Sequence, residues 1–228
     1  MMLLIETSTE RGLIVIAEKQ NILFEKALPF GFNNSTHLLP TIEEGLNSLN
    51  LKVSQLNSIA VGIGPGSYTG IRIGAAAAKS LAYAAKLPLI GLPSLMGFVP
   101  DVDGVFSAII DAKIGGAYVL KGIANSGIVS YTSQPQLCPL EELGTYLKDV
   151  ELLVTPQSEP LRSKLNKSFP NNQWKWKESG PSAHHLISLA YKKLENGEYS
   201  LDAHLELLYL RKTQAEIEKE QRSKYRPG

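Results

Sequence analysis

The chain has 228 residues, 43% hydrophobic and 20% charged, and its 23 basic and 22 acidic side chains leave a formal net charge of +1. That composition is too apolar for a disordered chain and suits one large or two small globular domains. The balanced charge excludes a strong field toward nucleic acid or acidic lipid. The single cysteine, Cys138, excludes an internal disulfide or a multi-cysteine metal site and fits a reducing compartment. The opening MMLLIETSTE carries no basic leader, and its apolar run is too short for a signal peptide. No uncharged apolar stretch approaches the ~20 residues a membrane helix needs. A cytoplasmic protein with no membrane contact is expected.

Taken in chain order, residues 3–7, 13–17 and 22–28 read as three strands in a meander. In STHLLPTIEEGLNSLN, Leu38, Ile42, Leu46 and Leu49 recur at helical spacing. Pro40 is expected in the first turn of that helix, where its missing N–H does little harm. A strand over 58–64, a small-residue helix over 68–86 and a short strand over 87–91 follow. This β-β-β-α-β-α-β order mixes hairpins with right-handed crossovers, unlike a doubly wound fold. After the loop VPDVDG, strands are expected at 105–111, 117–124 and 127–131. Helical PLEELGTYLKD, the strand VELLVT and helices over 161–167 and 182–196 complete the pattern. The second part repeats the first in weak form. The expected division is an N-terminal subdomain at 1–100 and a smaller, degenerate one at 101–210, whose last helix can pack back on the first. A charged tail, RKTQAEIEKEQRSKYRPG, occupies 211–228. It reads as a solvated helix end, with a basic contact to RNA or a partner as the alternative.

VGIGPGSYTGIRIGAAAAKS, with five glycines in twenty residues, resembles a phosphate cradle opening a helix. No glycine stands five before a Gly-Lys pair, so it is not a Walker loop. Gly64, Gly66 and Gly70 are spaced Gly-x-Gly-x-x-x-Gly rather than as a dinucleotide fingerprint, and Pro65 removes one N–H donor. Pro65 two before Ser67 also rules out a nucleophile elbow. Gly64, Pro65, Gly66, Ser67, Thr69 and Gly70 are therefore read as an architectural bend that aims the following helix outward. On that helix Arg72, Ala76, Lys79, Tyr83 and Lys86 form one stripe that can be wet. Ile71, Gly74, Ala75, Ala78, Leu81, Ala82 and Ala85 form another that suits burial. Ile73, Ala77, Ser80 and Ala84 flank it, as part of the domain core or as a docking surface for another protein's helix.

At GPGSYTGIRIGAAAAKSLA, with LLIETSTE before it and STHLLPTI between, the chain resembles the bacterial TsaB (YeaZ-like) family. GLPSL, AIIDAKIGGAYVL and LLYLR add shorter likenesses. The match is dense over residues 3–120 and thin beyond. Glu6 stands where the family has Asp, Gly116 where it often has Glu, and PQSEP after Thr155 lacks a glycine pair.

The resemblance implies an α/β actin-like, sugar-kinase-like (ASKHA) fold of two related mixed-sheet subdomains, the second degenerate. It also implies a role in making threonylcarbamoyladenosine at position 37 of tRNAs that read codons beginning with A. In that picture the chain is a non-catalytic partner that activates the TsaD transferase together with the ATPase TsaE, and TsaC supplies the adenylate. tRNA would be met only within the complex. His37, Thr41, Gly45, Ile73, Ala77, Ser80 and Ala84 are the residues expected at the TsaD interface, and the same patch could pair two copies of the chain alone.

The alternative is a stand-alone ATP-dependent phosphotransferase or ATPase of the same fold. It needs an acid on each of two hairpins and a glycine turn for adenosine. Glu6, one methylene longer than Asp, could serve as the first acid and Asp111 as the second, but the third element has no candidate. His37, His184, His185 and His204 lack metal-site spacing. Cys138 has no positive neighbour and reads as a small hydrophobe. No cofactor, metal or catalytic residue is expected.

Overall fold

The computed structural model describes residues 1–31, 34–113 and 115–210; the charged tail expected at 211–228 lies outside them. Sheet one comprises β1 (Met2–Glu6), β2 (Leu13–Glu18), β3 (Asn21–Ala27), β4 (Ser58–Gly62) and β5 (Leu89–Leu92), in the order β3-β2-β1-β4-β5. The first three strands are antiparallel neighbours, and β4 and β5 add in parallel. Between these strands run α1 (Asn34–Ser48) and α2 (Tyr68–Ala85).

The second sheet contains β6 (Gly104–Asp111), β7 (Gly116–Asn125), β8 (Ile128–Tyr131), β10 (Leu152–Thr155) and β11 (Lys175–Glu178), with β9 (Gln136–Pro139) pairing β7 off the main path. Read from β8, its order is β8-β7-β6-β10-β11, with the same two antiparallel and two parallel pairings. The weak repeat in the sequence is thus a repeat of strand order, direction and crossover. Together the lobes make a mixed α/β actin-like, sugar-kinase-like fold.

Helical cover differs between the halves. On one face of sheet one, Leu38, Ile42 and Leu46 of α1 and Ala78 and Ala82 of α2 bury Leu3, Ile5, Ile16 and Ile59. The other face is covered by α5 (Ala183–Glu195), which sets Ala183, Leu186, Ile187 and Ala190 against Met2, Leu4, Val15 and Ile90. Among the described residues, sheet two receives on one face only the single turn α3 (Leu143–Tyr146) and the eight-residue α4 (Leu161–Ser168). The sequence expectation of one helix through PLEELGTYLKD is corrected here: a 3₁₀ turn at Leu140–Glu142 and α3 share that stretch. Pro139 precedes the first turn, and Gly144 sits under the Phe169 ring, where a Cβ would come within 2.5 Å.

Pro40 is also corrected. It is the seventh residue of α1, not part of its first turn. Its ring and Thr36 are both exposed, so water can satisfy the carbonyl that loses its i+4 donor. The strands β9 and β11 were not anticipated from the sequence.

Beyond α5 the chain returns to sheet one, where Leu89 and Ser200 form an isolated bridge. It then crosses the cleft: Leu205 joins the first core, Leu208 donates its N–H to the Ile63 carbonyl at 2.9 Å, and Leu210 enters the core of the second lobe. Among the described residues no helix is long and apolar enough to cross a membrane.

Candidate functional site

The glycine-rich loop joins β4 to α2 and packs onto the β1–β2 turn. Ser67 N–H donates to the Ser8 carbonyl at 2.7 Å, and Thr7 Oγ1 donates to the Gly70 carbonyl at 2.8 Å. Ser67 caps α2 by accepting from the Gly70 N–H. A Cβ on Gly66 would lie 2.3 Å from the Ser8 carbonyl oxygen, and one on Gly70 2.2 Å from that of Thr7. The glycines make the tight strand-to-helix bend by letting the loop and the start of α2 close onto the turn. Gly64 and Pro65 are buried, whereas Thr69 is exposed.

Two acids end equivalent strands. Glu6 closes β1 and Asp111 closes β6, and each accepts a hydrogen bond from the backbone two residues on: Ser8 N–H at 2.6 Å and Lys113 N–H at 2.9 Å. Beyond that they diverge. Glu6 is 1% exposed and lies under Gly62, where a Cβ would stand 2.0 Å from its Oε2. That oxygen makes no hydrogen bond among the described residues. Burial pushes the Glu6 carboxyl above the ordinary carboxylate range, against the opposing pull of the Ser8 and Ser94 polar groups nearby. Asp111 is instead sealed by Lys164, whose Nζ lies 2.9 and 3.1 Å from its two oxygens and also donates to the Lys113 carbonyl.

Between the lobes lies a cavity of about 480 Å³, lined by Ser8, Glu10, Ser67, Asp111, Gln157 and Tyr209 among others. Its far wall is the loop at 156–160, Pro-Gln-Ser-Glu-Pro, and its rim carries a stack in which the Arg72 guanidinium lies 3.8 Å from the Tyr68 ring centroid and donates to Tyr209 OH at 2.9 Å. A magnesium nucleotide does not fit these residues. The first acid is turned under Gly62, the second is neutralised in place, and prolines bracket the segment where a glycine turn would admit adenosine. No cluster of three or more His, Cys, Asp or Glu suited to a metal ion occurs among the described residues. Cys138 is buried, and burial together with Glu142 and Glu141 raises its thiol pKa.

The seven residues expected at a partner interface do not share one surface. Gly45 is buried, with a Cβ position 2.8 Å from the Phe24 ring, and Thr41 is buried beside it on α1. Both face inward, which corrects their assignment to an outer face. His37 is half-buried, Ile73 and Ala77 lie partly within the first core, and Ser80 and Ala84 are exposed. The outward row of α2 is Arg72, Ala76, Lys79, Ser80, Tyr83 and Ala84, with Tyr83 76% exposed; Leu39 on α1 is 58% exposed. Sequence reasoning missed Lys164 and Arg11. Lys164 reads as a solvated helix position, and nothing local in STERG points to the other lobe.

The fold and this cleft define a two-lobed protein of the actin-like, sugar-kinase-like class. The family model described as TsaD, tRNA N6-adenosine threonylcarbamoyltransferase, matches residues 33–137. The "tRNA threonylcarbamoyladenosine biosynthesis protein TsaB" of Bacillus subtilis strain 168 is 33% identical over 119 residues, 51% of this chain and 52% of that protein. The protein of the same name from Escherichia coli K12 is 36% identical over 90 residues, 37% of this chain and 39% of that one. The solved structure "YeaZ from Pseudomonas aeruginosa" superposes with a TM-score of 0.75 at 21% identity, covering 92% of this chain and 99% of that one. The chain is thus similar to TsaB (YeaZ-like) proteins in sequence over part of its length and in fold over nearly all of it. In sequence it spans about half the length, or less, of the curated relatives it matches.

Proposed function

We propose that this chain is a cytoplasmic, non-catalytic subunit in tRNA threonylcarbamoyladenosine biosynthesis, pairing with a TsaD-type transferase and working with a TsaE-type ATPase. The observation that carries the reading is the pairing of two features. The cleft acids are closed off, while α2 presents a low outer row of Ala76, Ser80 and Ala84 flanked by the exposed Tyr83. Such a row lets a second helix approach closely and loses little side-chain entropy on ordering. The names of the relatives and the TsaD model over residues 33–137, which contain both α1 and α2, support the pathway and the kind of partner. His37, Ile73, Ala77, Ser80 and Ala84, with Leu39 beside them, make up the proposed face. With no TsaD present, the same face pairs two copies of the chain. tRNA is contacted within the assembled complex.

Ala84→Arg and Ser80→Arg are the variants of choice, because both positions are exposed and neither change disturbs the core. Each is expected to abolish co-purification with a TsaD-type partner and to remove the chain's stimulation of tRNA modification in a reaction reconstituted with TsaC, TsaD and TsaE. The thermal midpoint of the isolated chain should stay within about 2 °C. Undiminished co-purification by both variants would take α2 out of the interface.

A further inference from the structure

Arg11 sits in the β1–β2 turn of the first lobe, yet its polar contacts across the cleft are with the second. Its Nε donates to the Pro156 carbonyl, and its terminal nitrogen lies 3.5 Å from Glu178 Oε2 at the end of β11. Glu178 is itself held: its Oε1 accepts from both the N–H and the Oγ of Ser158, at 2.8 and 2.6 Å, and these bonds keep its carboxyl below the usual range. Phe30 supports the guanidinium from the first lobe, with its ring centroid 5.2 Å away. Pro156 and Ser158 belong to the 156–160 loop that walls the cavity. One side chain therefore ties the turn of the first lobe to the wall of the second across the mouth of the cleft. The chain itself crosses between lobes elsewhere, near Ser94–Gly97, where Gly97 accepts from the Ser182 N–H and Tyr131 bridges Met96 and His185.

We propose that Arg11 is an intramolecular latch that holds the two lobes closed on one another. A charge-assisted fork to a fixed carbonyl and a fixed carboxylate, both on the second lobe, restrains the angle between the lobes. The latch defines one rigid shape for the chain, whatever partner it meets. It therefore stands or falls independently of the proposed pairing with TsaD.

The test is the distance between lobes. Spin labels at Asn47 on α1 and Asn171 after α4, both exposed, report it in the full chain with Cys138 replaced by Ser. Arg11→Ala is expected to shift the distance distribution outward by more than about 2 Å and to broaden it, as for hinge opening. Glu178→Ala should do so to a smaller extent, and the charge-exchanged pair Arg11→Glu with Glu178→Arg should recover part of the closed population. Lys26→Ala, which breaks the exposed Lys26–Glu44 pair within the first lobe, should change nothing. Superposable distributions for Arg11→Ala and wild type would overturn the latch. If Arg11→Ala fails to fold, Arg11→Lys provides the same reading: it keeps the charge but loses the fork, so an unshifted distribution for that variant would also overturn it.

Discussion

Glu6 and Asp111 occupy the same place in two copies of one strand arrangement, and each bends its own turn in the same way. What surrounds them differs. In the first lobe the neighbouring parallel strand ends in Gly62, so a longer acid folds beneath it, with one oxygen that makes no hydrogen bond among the described residues. In the second lobe the corresponding strand ends in Thr155, α4 delivers Lys164, and the acid stays at the cavity wall as half of an ion pair. Two routes lead to the same outcome: a hairpin acid that shapes its turn and offers no free carboxylate to the cleft. The same strand order therefore does not by itself fix what an acid at this position offers the cleft.

The sharpest way to break this contrast is to fill the space that only the first lobe has. Gly62→Ala places a methyl where Glu6 Oε2 sits, among groups that are all buried, and should cost about 3 kcal/mol or more. The thermal midpoint would then fall by about 6–12 °C. Glu6→Ala in the same chain should restore part of that loss, and a thermal-melt double-mutant cycle would show a coupling above ~1 kcal/mol. Simple additivity would mean that the two residues do not share this space.

A smaller effect, of opposite sign, is expected from Glu6→Gln. A carboxyl whose folded pKa lies above its unfolded value binds protons more readily when folded. Its stability contribution is therefore most favourable at low pH and becomes a penalty as pH rises from the ordinary 4.5 through the raised value. The glutamine has no such penalty, and it sets an amide donor near Ser8 Oγ, which is buried without a hydrogen bond among the described residues. Thermal melts at pH 8 should show a gain of about 1–3 kcal/mol, shrinking as pH falls toward 4.5. A gain independent of pH would mean that the carboxyl is not the cause.

The smallest effect belongs to the second lobe. Lys164→Met leaves Asp111 with its backbone bond and partial access to water, since the lysine side chain is 33% exposed. A loss of about 1 kcal/mol is expected. Adding Asp111→Asn should recover most of it, and denaturant unfolding measures both.

The sequence made the strands of the first lobe legible because every residue of β1, β4 and most of β2 is buried, producing apolar runs with clear ends. The face of α2 was equally readable: its wet stripe is exposed in full, and its small-residue stripe is buried or half-buried throughout. β11 escaped notice because Lys-Trp-Lys-Glu alternates weakly at a sheet edge. Gly45 and Thr41 were assigned to the wrong side of α1 because the Phe24 ring on β3, which covers Gly45, cannot be paired with it from spacing alone. Arg11 and Lys164 each act through one side chain across a long sequence separation, and no periodicity encodes that.

α5 has a further consequence. Sheet one is complete as a set of strands by residue 92, yet its second face stays bare until Ala183–Glu195 arrives. During synthesis the first lobe must therefore wait, with Met2, Leu4 and Val15 uncovered, while the entire second lobe is made. A gene fragment cut between the two sheets would yield a sticky half-product rather than a separable module.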